Sequence, residues 1–389
     1  MTRLADRATL DWLLQQAVSS GILPGVVALV ATTEDILYEA AFGVRDVGSG
    51  AAMSLDTIFG IASMTKTLTA TAVLQLAERG LLRLDQPVRD ILPAFGDLPV
   101  LSGFTGDTPL LRRPVRQATV HDLLANVSGL AYDTWNEDLW RYHAVTGIPN
   151  ISGGTRKTFR VPLTDDPGVR FSYGTGSDWA GLIIEEISGQ GLDAYFRGHI
   201  TGPLNMHDTD VRLTVAQRAR TAAVHRRSGE DGWIAQPHDE PAIPEFYAGG
   251  HCLYSTAPDY LRFQRALLCG GIGDSRILEP ESVRSMLTNQ IGTLAVQPAR
   301  TCNRELSEDL DFAAGSKWGF GLMLDGGCVP GMRPIGSGGW AGVFNTLYWL
   351  DRDTGIAAAL YTQTLPFRDQ AIMRIYAEFE RRLYRELTL

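Results

Sequence analysis

Over the first twenty positions, MTRLADRATLDWLLQQAVSS, apolar residues recur at helical spacing among charged ones, which predicts an amphipathic helix. Two β-rich runs follow, Val26 to Ala31 and Ile36 to Phe42, separated by the polar TTED, the pattern of a hairpin. From Lys66 the period becomes helical again: Leu68, Ala72, Leu76 and Ala77 fall near one face of an amphipathic helix, and Gly80 supplies a stop. The carboxyl end mirrors the start. KWGFGLML, FNTLYWL and IAAALYT read as strands, DRDTG turns between the last two, and a final helix is expected over about Phe367 to Glu386. These elements fit one antiparallel sheet covered by both terminal helices, so residues 1–80 and 310–389 are expected to form one sheet domain built from both chain ends.

The middle of the chain has a different texture. TVHDLLANVSGL, with a Thr119/Asp122 capping-box pattern, SDWAGLIIEEISG, and TAPDYLRFQRALLCGG, with Pro258 near its start, read as helices between Gly/Pro-rich loops. Residues 81–309 are therefore expected to form a mostly helical second domain, with SGEDGWIAQPHDEPAIPE as a long surface loop. The class is α+β, and a cleft between the two parts is the expected site.

Composition narrows the function classes. With 389 residues, 44% apolar and 20% charged, the chain can bury a large core as a soluble globular protein. A net charge of −9, with no basic run and no aromatic-basic patch, argues against nucleic acid or anionic membranes as partners. The first helix lacks the uninterrupted apolar region of a signal peptide, and no 18-residue apolar run occurs elsewhere. Cys252, Cys269, Cys302 and Cys328 form no C-x-x-C pair, and none has a histidine at zinc-finger spacing. The expectation is a reduced, metal-free cytoplasmic protein.

The chemistry centres on one of only three lysines. In Ser63-Met64-Thr65-Lys66 the serine and lysine, three apart, share a face of a helix start, which brings an amine within reach of a hydroxyl. A serine hydroxyl attacks only if a neighbour takes its proton, and a lysine desolvated in a cleft can do so. The G-x-S-x-G pentapeptide of ordinary α/β-hydrolases is absent. YAGGHC and DGGCVPG read as turns, and the seven scattered histidines read as structural hydrogen-bonders rather than catalysts. Tyr173, in a loop just before the helix that starts near Ser177 or Asp178, is placed to project a phenol into a cleft.

In order, S-x-x-K after a hairpin, PGVRFSYGT…GLIIEEISG…PLNMHDT, GGHCLYSTAPDYLRF, and GWAG opening a strand resemble the serine β-lactamase and penicillin-binding protein superfamily. The pattern is most similar to family VIII carboxylesterases, which resemble class C β-lactamases, and it runs from about residue 20 to the last helix. LPVLSGFTGDTPLLRRPVRQATVHDLL also resembles the lovastatin-type acyltransferases of this superfamily. The resemblance implies a β-lactamase-like fold without metal or cofactor, with Ser63 as the acylated nucleophile and Lys66 as its proton partner. Tyr173 matches the tyrosine of the Y-x-N or Y-S-x motif. Trp340-Ala341-Gly342 falls at the K-T-G position, where family VIII esterases often carry W-G-G, and the backbone N–H groups of Ser63 and Val343 would form the oxyanion hole. Thr175 stands where β-lactamases carry the asparagine of Y-x-N, and Asn126 where many relatives have the histidine of H-T-S-G-L. The implied function is hydrolysis of small, short-chain carboxylic esters through a serine acyl-enzyme. A β-lactamase or D-amino-acid peptidase, an acyltransferase, and a non-catalytic peptidoglycan-binding relative remain as alternatives.

Overall fold

The computed structural model describes residues 2–229, 232–236, 243–269, 275–327 and 329–388. Cys328 and parts of the SGEDGWIAQPHDEPAIPE segment lie outside them. After helix α1 (Ala8–Ser19) come strands β1 (Gly25–Ala31), β2 (Ile36–Asp46) and β3 (Ala51–Ala52), then helix α2 (Thr65–Glu78). Helices α3 (Val120–Leu124), α4 (Gly176–Ser188) and α5 (Ala257–Cys269) precede strands β4 (Lys317–Trp318), β5 (Met323–Leu324), β6 (Gly338–Gly342), β7 (Thr346–Asp351) and β8 (Ile356–Tyr361), and helix α6 (Gln370–Glu386) follows. Those eight strands form one sheet in the order β4-β5-β6-β7-β8-β1-β2-β3, antiparallel throughout. The sheet therefore joins both ends of the chain, and the α+β class read from the sequence is the one observed.

Every residue of β1, β7 and β8 is buried, because helices cover both faces. On one face α6 lays down Ile372, Tyr376, Phe379 and Leu383, with Tyr376 packing on Trp349 at 5.5 Å between ring centroids. On the other, the Gln264 amide of α5 donates to the carbonyls of Trp349 and Ala358, and Thr67 of α2 shares a hydrogen bond with Tyr348. Strand alternation thus assigns Trp349 to the α6 side and Tyr348, with its cross-strand partner Trp340, to the α2 side.

Two elements differ from the sequence reading. Helix α2 is not amphipathic: it is buried on all sides from Thr65 to Leu76, and its threonines are satisfied internally. Thr67 donates to the Gly321 carbonyl, Thr69 to that of Gly249 and Thr71 to that of Thr67, so side chains that look polar in sequence suit a buried helix. Within the expected surface loop, Gly232–Ala235 forms a strand paired with His225–Ser228. The His225–Ser228 strand also pairs with Thr364–Leu365, which gives the hairpin an anchor that local sequence does not reveal. Val100–Thr105 and Thr108–Arg112 form a further hairpin. The Thr119/Asp122 capping box at α3 is formed in full. No helix among the described residues is long and apolar enough to cross a membrane.

Candidate active site

Ser63 lies on a one-turn 3₁₀ segment, Ala62–Met64, wedged between the strand Ile58–Gly60 and helix α2. Ala62 is left-handed, with φ of 41°, a conformation that costs a side-chain-bearing residue on the order of 1–3 kcal/mol. Bonds on either side hold it there. Ile58–Gly60 pairs with Tyr254–Thr256, the Ile61 N–H donates to the Leu253 carbonyl, and the Leu253 N–H donates to the Thr65 hydroxyl. The Tyr260 hydroxyl donates to the Met64 carbonyl at 3.0 Å. The segment 249–256 thereby fixes Ser63 and also brings the Gly250 carbonyl to Lys66.

Lys66 is fully buried, and its three ammonium protons have three acceptors: Ser63 Oγ at 3.2 Å, Tyr132 Oη at 2.8 Å and the Gly250 carbonyl at 2.9 Å. Its Nζ also lies 4.9 Å from the ring centroids of both Tyr132 and Tyr173, a double cation–π contact. Ser63 and Lys66 thus lie within hydrogen-bond reach of each other. Tyr173 sits against this pair through its ring, while its hydroxyl accepts the Trp340 indole N–H at 2.9 Å. The phenol that receives a proton bond from Lys66 is Tyr132, which sequence reading did not single out.

The two tyrosines are laced together. The Tyr132 N–H donates to the Tyr173 carbonyl at 3.1 Å, and their rings are 5.2 Å apart. Asn126 accounts for part of this: left-handed at φ of 54° and buried, it accepts the Ser172 N–H on its carbonyl and the Gly174 N–H on its side chain. Asparagine tolerates that conformation, so the residue stitches the loop after α3 to the loop before α4. Burial first, and then the negative charge of Asp178, hold the Tyr132 phenol well above its ordinary range.

Trp340 is buried in an aromatic wall, with Trp318 at 4.8 Å edge-on and Phe312 at 6.2 Å nearly parallel. Ala341 is buried beside it, and Gly342, ending β6, presses on the turn that carries Ser63. A Cβ at 342 would overlap the Ile61 carbonyl and the Thr346 hydroxyl, so only glycine lets the strand end this close, and Val343 follows directly. Thr175 is half-buried at the start of α4 without capping it, and lines a small pocket with Leu130, Tyr132, Phe159 and Trp179. Arg333 has the opposite placement from one that could supply a cation to the cleft. It donates to Asp325 and Tyr376, faces Glu380 at 3.6 Å, and packs on Trp349 on the α6 side of the sheet.

Residues 10–381 match the beta-lactamase family. The chain is 30% identical to esterase EstB of Burkholderia gladioli over 92% of this chain and 90% of that protein. It is 28% identical to the lovastatin esterase of Penicillium rubens, over 97% of this chain and 98% of that one. Among solved structures, unliganded simvastatin synthase from Aspergillus terreus superposes with a TM-score of 0.83 at 25% identity, covering 97% of each chain.

Proposed function

This chain belongs to the beta-lactamase family, and from that premise we propose that it is a serine carboxylesterase acting on small, uncharged carboxylic esters through an acyl-enzyme at Ser63. The observation that carries the reading is the contact of Lys66 Nζ with Ser63 Oγ at 3.2 Å, beside an indole at the position where a β-lactam carboxylate would need a cation. As the free amine, Lys66 takes the Ser63 proton while Oγ attacks the ester carbonyl. Charge developing on the carbonyl oxygen is met by the N–H groups of Ser63 and Val343. The two phenols divide the remaining work. Tyr132 holds the lysine, whereas the Tyr173 oxygen already accepts the Trp340 N–H, so its own proton is free to go to the leaving alkoxide. Water then deacylates Ser63, giving one proton to the Tyr173 phenolate while the Lys66 ammonium returns its proton to the departing Ser63 Oγ, which restores the starting state.

Trp340 offers apolar area and no positive charge, and a buried unpaired carboxylate costs several kcal/mol. The esterase reading therefore predicts that kcat/KM for p-nitrophenyl butyrate exceeds that for a chromogenic cephalosporin by about 10²-fold or more. Comparable values would promote the β-lactamase alternative. Similarity to simvastatin synthase favours a second reading, acyl transfer, which differs only in the acceptor. Adding an alcohol to the ester assay separates the two: product partitioning to the new ester at millimolar alcohol supports transfer, and acid release throughout supports hydrolysis.

A further inference from the structure

The buried charge of Lys66 has no carboxylate within 4.0 Å among the described residues, and its three acceptors are all uncharged. One carboxylate stands a single group further out. Asp178, on the first turn of α4, is fully buried, and its Oδ1 accepts the Gly250 N–H at 2.9 Å while the carbonyl of that same glycine accepts from Lys66. Its Oδ2 has no hydrogen-bond partner. A Cβ on Gly250 would lie 2.8 Å from each Asp178 oxygen and 2.9 Å from Tyr132 Oη, so carboxylate, phenol and glycine backbone converge on one point that only glycine leaves open. The Gly250 peptide therefore links Asp178 to Lys66 through hydrogen bonds, and the Tyr132 phenol, which accepts from Lys66, lies within the negative field of Asp178.

We propose that Asp178 is the positioning counter-charge of Lys66, acting through Gly250 and Tyr132 to hold the lysine in place and to set the pH at which it becomes a free amine able to activate Ser63. This rests on the esterase reading only for the role of the amine. A direct ion pair would pin the lysine as ammonium, and no carboxylate at all would leave a buried cation uncompensated. A carboxylate one group away lies between those limits.

The other groups facing this pair do not take its place. His251, on the 249–256 segment, has Nδ1 3.6 Å from Asp178 Oδ1. Burial holds it below its usual value, with Asp178 opposing and Lys66 reinforcing that shift, so the imidazole is uncharged at neutral pH. Burial keeps the Cys252 thiol protonated, and Tyr132 and Tyr173 contribute a phenol and a ring face. Asp133 acts on Tyr132 as a weaker negative charge than Asp178, and Asp193 and Asp210 reach Cys252 only as minor charges.

With three lysines in the chain, ε-¹³C-lysine labelling gives three resonances, and Lys66 is assigned by its loss in Lys66→Arg. Asp178→Asn keeps an acceptor for the Gly250 N–H and removes the charge. Loss of a negative neighbour disfavours the ammonium, so the Lys66 midpoint is expected to fall by about one pH unit or more. Asp178→Ser, a second neutral variant, should move it the same way, and His251→Gln should leave it within about 0.3 unit. The midpoint of Ser63 labelling by a fluorophosphonate should follow the resonance. A midpoint unchanged in both neutral variants, or shifted as far by His251→Gln, overturns the proposal. Because the resonance is read without substrate, a Lys66 that titrates as expected in a protein that never labels at Ser63 supports this role for Asp178 and overturns the esterase reading instead.

Discussion

Gly342 and Ile61 meet backbone to backbone, the end of β6 lying so close to the Ile61 carbonyl that no side chain fits between them. This contact brings the chain that continues into Val343 against the turn bearing Ser63. Gly342→Ala must push the strand away or tilt the turn. We expect a stability loss of about 1–3 kcal/mol from overpacking and a kcat loss of about 10²-fold or more from a displaced oxyanion donor. Thermal unfolding together with ester turnover checks both. A folded variant with unchanged kcat would remove Val343 from the oxyanion site.

Lys66 and Tyr132 form one hydrogen-bonded unit at 2.8 Å. Lys66→Ala and Tyr132→Phe should each lower kcat by about 10²-fold or more, and the double variant should be little worse than the poorer single one. Losses that multiply would mean the two groups act independently. Tyr173→Phe belongs in the same series, because removing its hydroxyl frees the Trp340 N–H and deletes the proton offered to the leaving group.

Asp122 ties the pH dependence of stability to the loop that carries Tyr132. Burial opposes its ionisation, but the neighbouring His121 imidazole at 3.7 Å and hydrogen bonds from Arg116 and the Thr119 N–H outweigh that and bring its pKa down to about 2. The folded value lies below the unfolded one, so the stabilisation is complete above about pH 4 and is lost as the pH falls toward 2. Asp122→Asn should cost about 2 kcal/mol at pH 7, and the gap to the wild type should close below pH 4. A gap independent of pH would assign the effect to packing alone.

Local order made part of this structure legible in the sequence. Val26 to Ala31 and IAAALYT read as strands because burial on both faces leaves unbroken apolar runs, and α6 was visible because only one of its faces is covered. Ser63 and Lys66 could be paired because three residues on one helix turn are a local relation. Tyr132 and Gly250 could not, since they lie 66 and 184 residues from Lys66 and are brought to it by loops whose register depends on Asn126 and on the Ile58–Gly60 pairing. The AGG of YAGGHC read as a turn and is one, but local sequence does not show that Gly250 leaves room for the Asp178 carboxylate and turns its carbonyl to Lys66. Burial of α2 from Thr65 to Leu76 was hidden by its threonines, two of whose hydroxyls are satisfied by carbonyls far away in sequence.

The central claim, that Ser63 becomes covalently acylated, is tested most directly by intact-protein mass measurement within seconds of mixing with p-nitrophenyl butyrate, followed by peptide mapping. The account predicts one added butyryl group on the peptide containing Ser63, decaying as acid appears, and no adduct in Ser63→Ala. An adduct on another serine such as Ser128, Ser177 or Ser337, or full turnover by Ser63→Ala, would contradict it.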